Sequence, residues 1–222
     1  LLDAARENAH KNGFNGAQYP WESADDGSEQ CPDWTIEPDG SCYRCYVAVY
    51  EHHVTAAVAY GIYDYVKITG DIDFLYTKGA EILTETARFW ASRCEYNNEQ
   101  DRYEINQVTG PDEWHEPVNN NLYTNYLARW NLKYVLSLLE VMKKEETSSY
   151  NELVEKTGLT EMETAKWKEV QEKIYLPRKE GTKLLEQFEG YFELDNVTIE
   201  KYDENDWPIR PEALKTKKAK ET

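Results

Sequence analysis

Two helical patterns set back to back constrain this chain most. From Val54 to Thr69, one apolar stripe is formed by Val54, Val58, Gly61, Ile62 and Tyr65, while Ala56, Ala59, Tyr60 and Tyr63 make the other side nearly as apolar. A helix that is apolar nearly all round belongs inside a protein, buried on most faces. Gly70 stops it, and Asp71 is placed to cap a successor. Residues 72 to 94 then carry a single stripe of Leu75, Ile82, Leu83, Thr86 and Trp90, with charges opposite. The pair predicts an αα-hairpin of one inner and one outer helix.

The rest of the chain extends this theme. Leu1, Leu2, Ala5 and Ala9 sit at helical spacing up to Gly13, with neither Met nor a cap before them, as expected of a chain whose upstream part is missing. A long helix is predicted from Leu122 to Lys144, with Ala128, Leu132, Val135, Leu139 and Met142 on one side. Thr160-Glu-Met-Glu163 is a capping-box pattern that opens a helix to Tyr175, ended by Pro177. Between these lie a long loop over residues 15 to 50, with short strands expected around Tyr46 to Tyr50, and a short strand within Arg102 to Val108. Residues 184 to 199 look extended, and the run from Lys215 to Lys220 reads as a basic, solvated tail. Long helix pairs joined by long loops at one end suggest an α/α toroid, and 222 residues supply about half of a closed one.

Charge narrows the partners. With 42 acidic against 25 basic residues the net charge is −17, so neither a phosphate backbone nor an anionic membrane surface is a suitable general partner. No apolar run approaches the ~18 residues of a spanning helix. The chain holds 17 Tyr and 7 Trp against 5 Phe. Such side chains pair a flat apolar face with a polar edge, which suits either a sugar ring or packing between helices. Cys42 and Cys45 have the spacing of a zinc or redox half-site, but there is no second pair. Reduced thiols are the plainer reading for Cys31, Cys42, Cys45 and Cys94.

Two loop clusters have the residue types that chemistry needs. In the first, Trp21 stands beside Glu22, Asp25, Asp26 and Glu29, between Gly and Pro residues. A sugar subsite would pack a ring on Trp21 and hydrogen-bond hydroxyls to Glu22. Asp25-Asp26-x-x-Glu29 also resembles the metal motif of all-α terpene synthases. The second metal motif that chemistry requires begins at Asn121 and Thr124 but has Ala128 where its acid belongs, so no metal site is expected. A solvated acidic loop explains the cluster as well. In the second, Thr109-Gly-Pro-Asp-Glu-Trp-His-Glu-Pro117 is followed by an Asn run, Asn119 to Asn121. Glu113, flanked by Asp112 and Trp114, is placed for a raised pKa and hence for donating a proton to a leaving oxygen. The Asn side chains can orient carboxylates or sugar hydroxyls, or simply hold the loop. His53, His10 and His115 are open to either a ligand or a structural role.

Read together, Ala5-Arg6, Gly16-Ala-Gln-Tyr-Pro-Trp-Glu-Ser-Ala24, Glu51-His-His-Val-Thr-Ala-Ala-Val-Ala-Tyr60, Thr69-Gly-Asp71, Glu85-Thr-Ala-Arg-Phe-Trp-Ala-Ser-Arg93, Gly110-Pro-Asp-Glu-Trp-His-Glu116, Asn120-Asn-Leu-Tyr-Thr-Asn125 and Gln187-Phe-Glu-Gly-Tyr-Phe192 resemble glycoside hydrolase family 65, the inverting α-glucoside phosphorylases. The resemblance covers nearly the whole chain. It implies an all-α fold, a partial (α/α)6 barrel of inner and outer helix hairpins with long loops and a few short strands. Residues 1–222 would be the central part of a single catalytic domain, without the family's N-terminal β-sandwich and C-terminal phosphate-binding part. It implies reversible, inverting phosphorolysis of an α-linked glucosyl disaccharide to β-glucose 1-phosphate, with inorganic phosphate as co-substrate and no cofactor. Glu113 matches the family's general acid. Trp21 and Glu22 match its glucose-subsite pair, and His53 its histidine before the inner helix; Asp112 and Asn121 are added as substrate-binding candidates.

An inverting hydrolase needs a second carboxylate to activate water, whereas phosphate is itself the nucleophile, so Glu113 alone suffices for a phosphorylase. The family's Lys-Gln phosphate motif lies beyond the residues present, and the isolated chain is therefore expected to be inactive. An acid-trehalase type hydrolase and a non-catalytic carbohydrate-binding helical fragment remain the alternatives. The whole protein is expected to be a cytoplasmic homodimer. The forms of the Trp-Glu and Gly-Pro-Asp-Glu motifs look more like the trehalose and kojibiose type than the maltose type.

Overall fold

The computed structural model describes residues 1–36, 40–209 and 219–221, the last three by backbone alone. Its longest helix, α6 (Leu122–Glu145), is the axis on which the others pack. α3 (His53–Thr69), α5 (Ala80–Arg93) and α8 (Glu161–Lys173) all lie against it, and α7 (Thr147–Thr157) folds back along it. α1 (Leu2–Lys11) rests on α5. The predicted α6 stripe of Ala128, Leu132, Val135, Leu139 and Met142 is buried throughout, which is what fixes the helix at the centre. Trp90, Phe89, Leu83 and Trp167 fill the space around it and are wholly buried. Each such side chain contributes roughly 1.5–3 kcal/mol by leaving water.

The helix signals read from the chain are used as physics dictates. Gly70 ends α3 in the left-handed conformation, with its N–H on the Val66 carbonyl at 2.8 Å. The Asp71 carboxylate accepts the Phe74 N–H at 2.9 Å and so caps the next segment, a turn of helix α4 (Ile72–Phe74) that runs through a π-type turn (Leu75–Gly79) into α5. Thr160 and Glu163 form the reciprocal capping box of α8.

The hairpin nevertheless buries its two helices the other way round. α5, whose sequence carries charges opposite its stripe, is buried on nearly every side, Glu81, Glu85 and Arg93 included. Partners from distant segments make this possible. Arg6 reaches Glu81 at 2.9 Å and Glu85 at 3.3 Å, and Arg88 reaches Glu85 and Glu163 at 2.6 Å each. A buried carboxylate costs several kcal/mol unless it is paired and hydrogen-bonded, so these contacts decide that α5 lies inside. Burial works to raise the Glu81 pKa, but Lys156 and Arg6 outweigh it and lower it. α3 buries only Thr55, Ala56, Ala59, Ile62 and Val66 of its length beyond His53, and leaves Tyr60, Tyr65 and Ile68 exposed. Its Ala56, Ala59, Tyr60 and Tyr63 side is the one that meets α6, Tyr60 and Tyr63 packing on the Trp130 ring at 5.1 Å and 5.5 Å.

Two differences and one agreement concern the loops. Residues 46 to 50 form a helical turn, α2 (Val47–Tyr50), and the strands of this region are β1 (Trp34–Ile36) and β2 (Cys42–Arg44), an antiparallel hairpin. The predicted strand near Tyr103 is short, β4 (Arg102–Glu104), paired with β3 (Glu95–Asn97), and held to the end of α8 by the Tyr175 N–H on the Tyr103 carbonyl at 2.8 Å. Residues 184 to 199 are only partly extended: a 3₁₀ turn (Tyr191–Glu193) precedes β5 (Asp195–Val197), which pairs in parallel with β6 (Ala219–Glu221). The basic run from Lys215 falls mostly outside the described residues. α7 was not evident from the chain, because Leu153 is its one buried residue and no stripe announces it.

Candidate active site

The loop of the first acidic cluster is built around Glu29. Its carboxylate accepts the backbone N–H groups of Trp21 at 2.7 Å, Glu22 at 3.0 Å and Cys31 at 2.9 Å. Asp26 turns instead to Ser28, whose N–H it accepts at 2.8 Å; the Ser28 side chain first and this N–H second hold its pKa low. The acids thus brace a turn rather than share one helix face, and among the described residues no group of three His, Cys, Asp or Glu is gathered for a metal ion. Glu22 stays exposed. Upstream, the Tyr19 N–H donates to the Thr55 hydroxyl at 3.0 Å, tying the loop to the first turn of α3. Gly16 lets the chain enter: its φ is +75°, and a Cβ there would lie 2.2 Å from the Glu85 carbonyl of α5. All four cysteines are free thiols; Cys45 lies 3.9 Å from Cys31, while Cys42 is exposed, so the C-x-x-C spacing makes no joint site.

These ties bring Trp21 to His53. The two rings meet edge to face at 5.8 Å, and His53 meets Tyr123 of α6 likewise at 5.4 Å. His53 is buried, and burial lowers its pKa against a hydrogen bond with Thr109. Tyr123 in turn lines a cavity of about 380 Å³ together with Pro111, Asp112, Asn121, Leu122 and Gln187. Asp112 and Asn121 therefore line this cavity, His53 adjoins it through Tyr123, and Trp21 stands one ring further off, against His53.

The second cluster is a turn pinned at its base. Val108 and Val118 exchange backbone hydrogen bonds at 2.9 Å each way, the Thr109 N–H donates to the Tyr50 carbonyl at 3.0 Å, and the Thr109 hydroxyl donates to Glu116 at 3.1 Å. Asp112 is committed within the turn: it accepts from the Trp114 N–H at 3.0 Å and the Gln187 amide at 2.6 Å, and it pairs with His115 at 2.7 Å. Burial pushes its pKa up, and these bonds outweigh that and lower it. Asp112 is therefore held toward His115 and Gln187. Gly110 permits this closeness, since a Cβ there would fall 2.2 Å from the Asn121 amide nitrogen.

The Asn run orients backbone. Asn121 caps α6 through the Thr124 N–H at 3.1 Å and gives its amide to the Gln187 carbonyl at 3.4 Å. Asn120, wholly buried, accepts from the Ile105 N–H at 3.1 Å and donates to Glu189 at 2.9 Å. Asn119 accepts the Gln107 N–H at 3.1 Å. The loop-holding role is the one these side chains perform.

Glu113 itself is exposed at the tip, as is Trp114. The burial expected to perturb this carboxyl falls elsewhere, on Glu51. That side chain is fully inaccessible, neither oxygen has a hydrogen-bond partner among the described residues, and His53 Nε2 lies 3.8 Å away. Burial first, then the charges of Glu113 and Glu116, push it up to about 8. Beside it, His52 is buried between Phe14 and Phe89 and takes a hydrogen bond from Arg93 Nε at 3.1 Å; burial lowers it to about 3. Glu51 and Gln187 were not singled out in the sequence for the site, and Glu29, read there as part of an acidic cluster, proves to be a brace of the loop. An acid directly before an apolar helix was the available signal for the first.

The exposed Glu113 thus stands on a pinned turn whose Pro111 and Asp112 line the cavity. The chain belongs to glycosyl hydrolase family 65: all of residues 1–222 match that family's central catalytic domain. Among known proteins, it is 53% identical over 222 residues to a kojibiose phosphorylase of Caldanaerobacter subterraneus subsp. tengcongensis, covering 100% of this chain and 29% of that protein. It is 36% identical over 210 residues to an α,α-trehalose phosphorylase of Thermoanaerobacter brockii, covering 94% of this chain and 26% of that protein. A solved structure provisionally named kojibiose phosphorylase, from human microbiome, superposes with a TM-score of 0.78 at 28% identity, covering 92% of this chain and 28% of that one. The chain thus spans under a third of the length of these relatives. Among the described residues no helix is long and apolar enough to cross a membrane.

Proposed function

We propose that this chain is the central part of an (α/α)6 catalytic domain in an inverting disaccharide phosphorylase. In this reading Glu113 protonates the bridging oxygen of an α-linked glucosyl disaccharide while inorganic phosphate attacks the anomeric carbon from the opposite face, giving β-glucose 1-phosphate and a free sugar. Trp21 packs on the glucosyl ring and Glu22 takes its hydroxyls. His53 fixes the angle of Trp21 through their edge-to-face contact, and Asp112 and Asn121 hold the turn on which Glu113 stands.

The observation that carries the reading is the run of ring contacts from Trp21 through His53 to Tyr123, which lines one cavity with Pro111 and Asp112 of the Gly110–Glu116 turn, in a chain whose relatives include named phosphorylases. Exposure of Glu113 is compatible with this role because catalytic groups often reach their working surroundings only when substrate excludes water. Kojibiose is the first substrate to try, and trehalose the second. The isolated segment is proposed to be inactive, since phosphate requires cationic or polar donors that the family resemblance places outside it. A screen of α-linked glucosyl disaccharides with the whole protein tests the reading. Consumption that requires inorganic phosphate supports it; consumption at equal rate in water alone points to the hydrolase alternative.

A further inference from the structure

Cys31 and Cys45 are nucleophilic side chains in and beside the Trp21 loop that the phosphorylase reading leaves unused. Their sulfurs lie 3.9 Å apart, although the residues are 14 positions apart in the chain. Both residues are half-buried, whereas Cys42 is exposed and pairs with Ile36 at the far end of the β1–β2 hairpin. Backbone bonds hold both cysteines in place. The Cys45 N–H donates to the Asp33 carbonyl at 2.8 Å, which closes the hairpin just beyond its Trp34–Arg44 pair. The Cys31 N–H donates to the Glu29 carboxylate at 2.9 Å, and the same carboxylate accepts the Trp21 and Glu22 N–H groups. The two thiols therefore meet where the Glu29-braced loop joins the foot of the hairpin.

We propose that Cys31 and Cys45 are a redox-responsive pair whose disulfide fastens the Trp21 loop to the foot of the β1–β2 hairpin. The co-reactant is a low-molecular-weight disulfide of the glutathione class. Cys45 attacks it as the thiolate and displaces one thiol; Cys31 then attacks the mixed disulfide and displaces the second. In sum, one S–S bond breaks and one forms, the two cysteines give up two protons and two electrons, and the co-reactant leaves as two thiols. Burial first, then the hydrogen bond with Cys45, push the Cys31 thiol up to about 11. Cys31 is thus a poor first attacker, and its nearness to Cys45 suits it to the second step. The bond would restrain the loop between them, and Cys31 carries one of the N–H groups on Glu29, so the restraint reaches Trp21 and Glu22.

The test uses the whole protein and two readouts. In the first, reduced protein is exposed to glutathione disulfide, its remaining thiols are alkylated, and its peptides are mapped by mass. A Cys31–Cys45 link that dithiothreitol reverses is expected, with Cys42 still alkylated. Cys31 and Cys45 both alkylated, Cys45 bonded to Cys42, or glutathione retained on Cys45 without a link would overturn the pair. Cys31→Ser removes the second sulfur, so glutathione should accumulate on Cys45; a folded variant with Cys45 unmodified would overturn the proposed order of attack. Mapping of the wild type decides the pair whether or not that variant folds. The second readout is amide hydrogen exchange. The N–H groups of Trp21, Glu22 and Cys31 should exchange about tenfold more slowly in the linked protein than in the reduced one, and recover on reduction. Equal exchange in the two forms overturns the fastening. Neither readout uses turnover, so wild-type protein that phosphorolyses no disaccharide would strike the functional reading alone.

Discussion

At the floor of the mouth, Glu51, His52 and His53 are consecutive and all buried, and Glu51 has no hydrogen-bond partner at either oxygen. At the rim, Glu29, Asp112 and the Asn119–Asn121 run are tied to named donors, while Glu22, Glu113 and Trp114 are open to solvent. The floor holds buried chemistry in a rigid place; the rim holds hydrogen-bonded chemistry and presents a few solvent-exposed side chains. Perturbed titration follows burial and not motif density, so the most strongly shifted carboxyl lies under the turn whose residues spell the recognisable motif.

The largest effect is expected from the free group at the rim. In the whole protein, Glu113→Gln should lower kcat by at least 10²- to 10⁴-fold, about the worth of a positioned general acid, with disaccharide binding by calorimetry changed little. Equal losses in binding and turnover would mean that Glu113 holds the sugar and does not protonate it. Next is the scaffold of the rim. Gly110→Ala places a methyl inside the Asn121 amide and must displace the turn, so kcat should fall by about 10²-fold, as displacements near 1 Å do, with a stability loss of roughly 1–3 kcal/mol in urea. Removing the other brace, Glu29→Ala, frees three N–H groups of the Trp21 loop. It should raise KM more than it lowers kcat, with about 1–3 kcal/mol lost in stability.

The floor should answer to pH instead. The folded-state pKa of Glu51 is raised, to about 8, so the folded protein binds its proton more tightly than the unfolded chain does. Stability from this group therefore falls as pH climbs from the ordinary glutamate range through about 8. Melting of Glu51→Gln against wild type should show the variant gaining on wild type with rising pH, and losing that relative gain toward pH 4. His52 has the opposite sign: its pKa is lowered to about 3. Its contribution is intact above about 6.5, the ordinary histidine value, and is lost as pH falls toward 3. A pH-independent difference between Glu51→Gln and wild type would break the contrast between floor and rim.

The helical frame was largely legible in the chain because its signals are local. The α6 stripe, the Gly70 stop, the Asp71 cap and the Thr160–Glu163 box each act within one or two turns of helix. The burial of α5 was not legible, because it depends on Arg6, Lys156 and Glu163, which meet Glu81, Glu85 and Arg88 only once the chain has folded. Of the motif residues, Asp112 and Asn121 line the cavity and Trp21 reaches it only through His53 and Tyr123, and the partner of each is remote or silent in sequence. Glu29 reads as one more surface acid, Gln187 is 75 positions from Asp112, and nothing local to Glu51 reveals that its oxygens have no donor.

The central claim is that Glu113 assists an inverting attack by phosphate, and the configuration of the product tests it most directly. Proton NMR during the first turnovers of the whole protein with kojibiose and inorganic phosphate should show β-glucose 1-phosphate forming with the free sugar. Initial release of the α anomer, or of free glucose without a phosphate ester, would contradict the account.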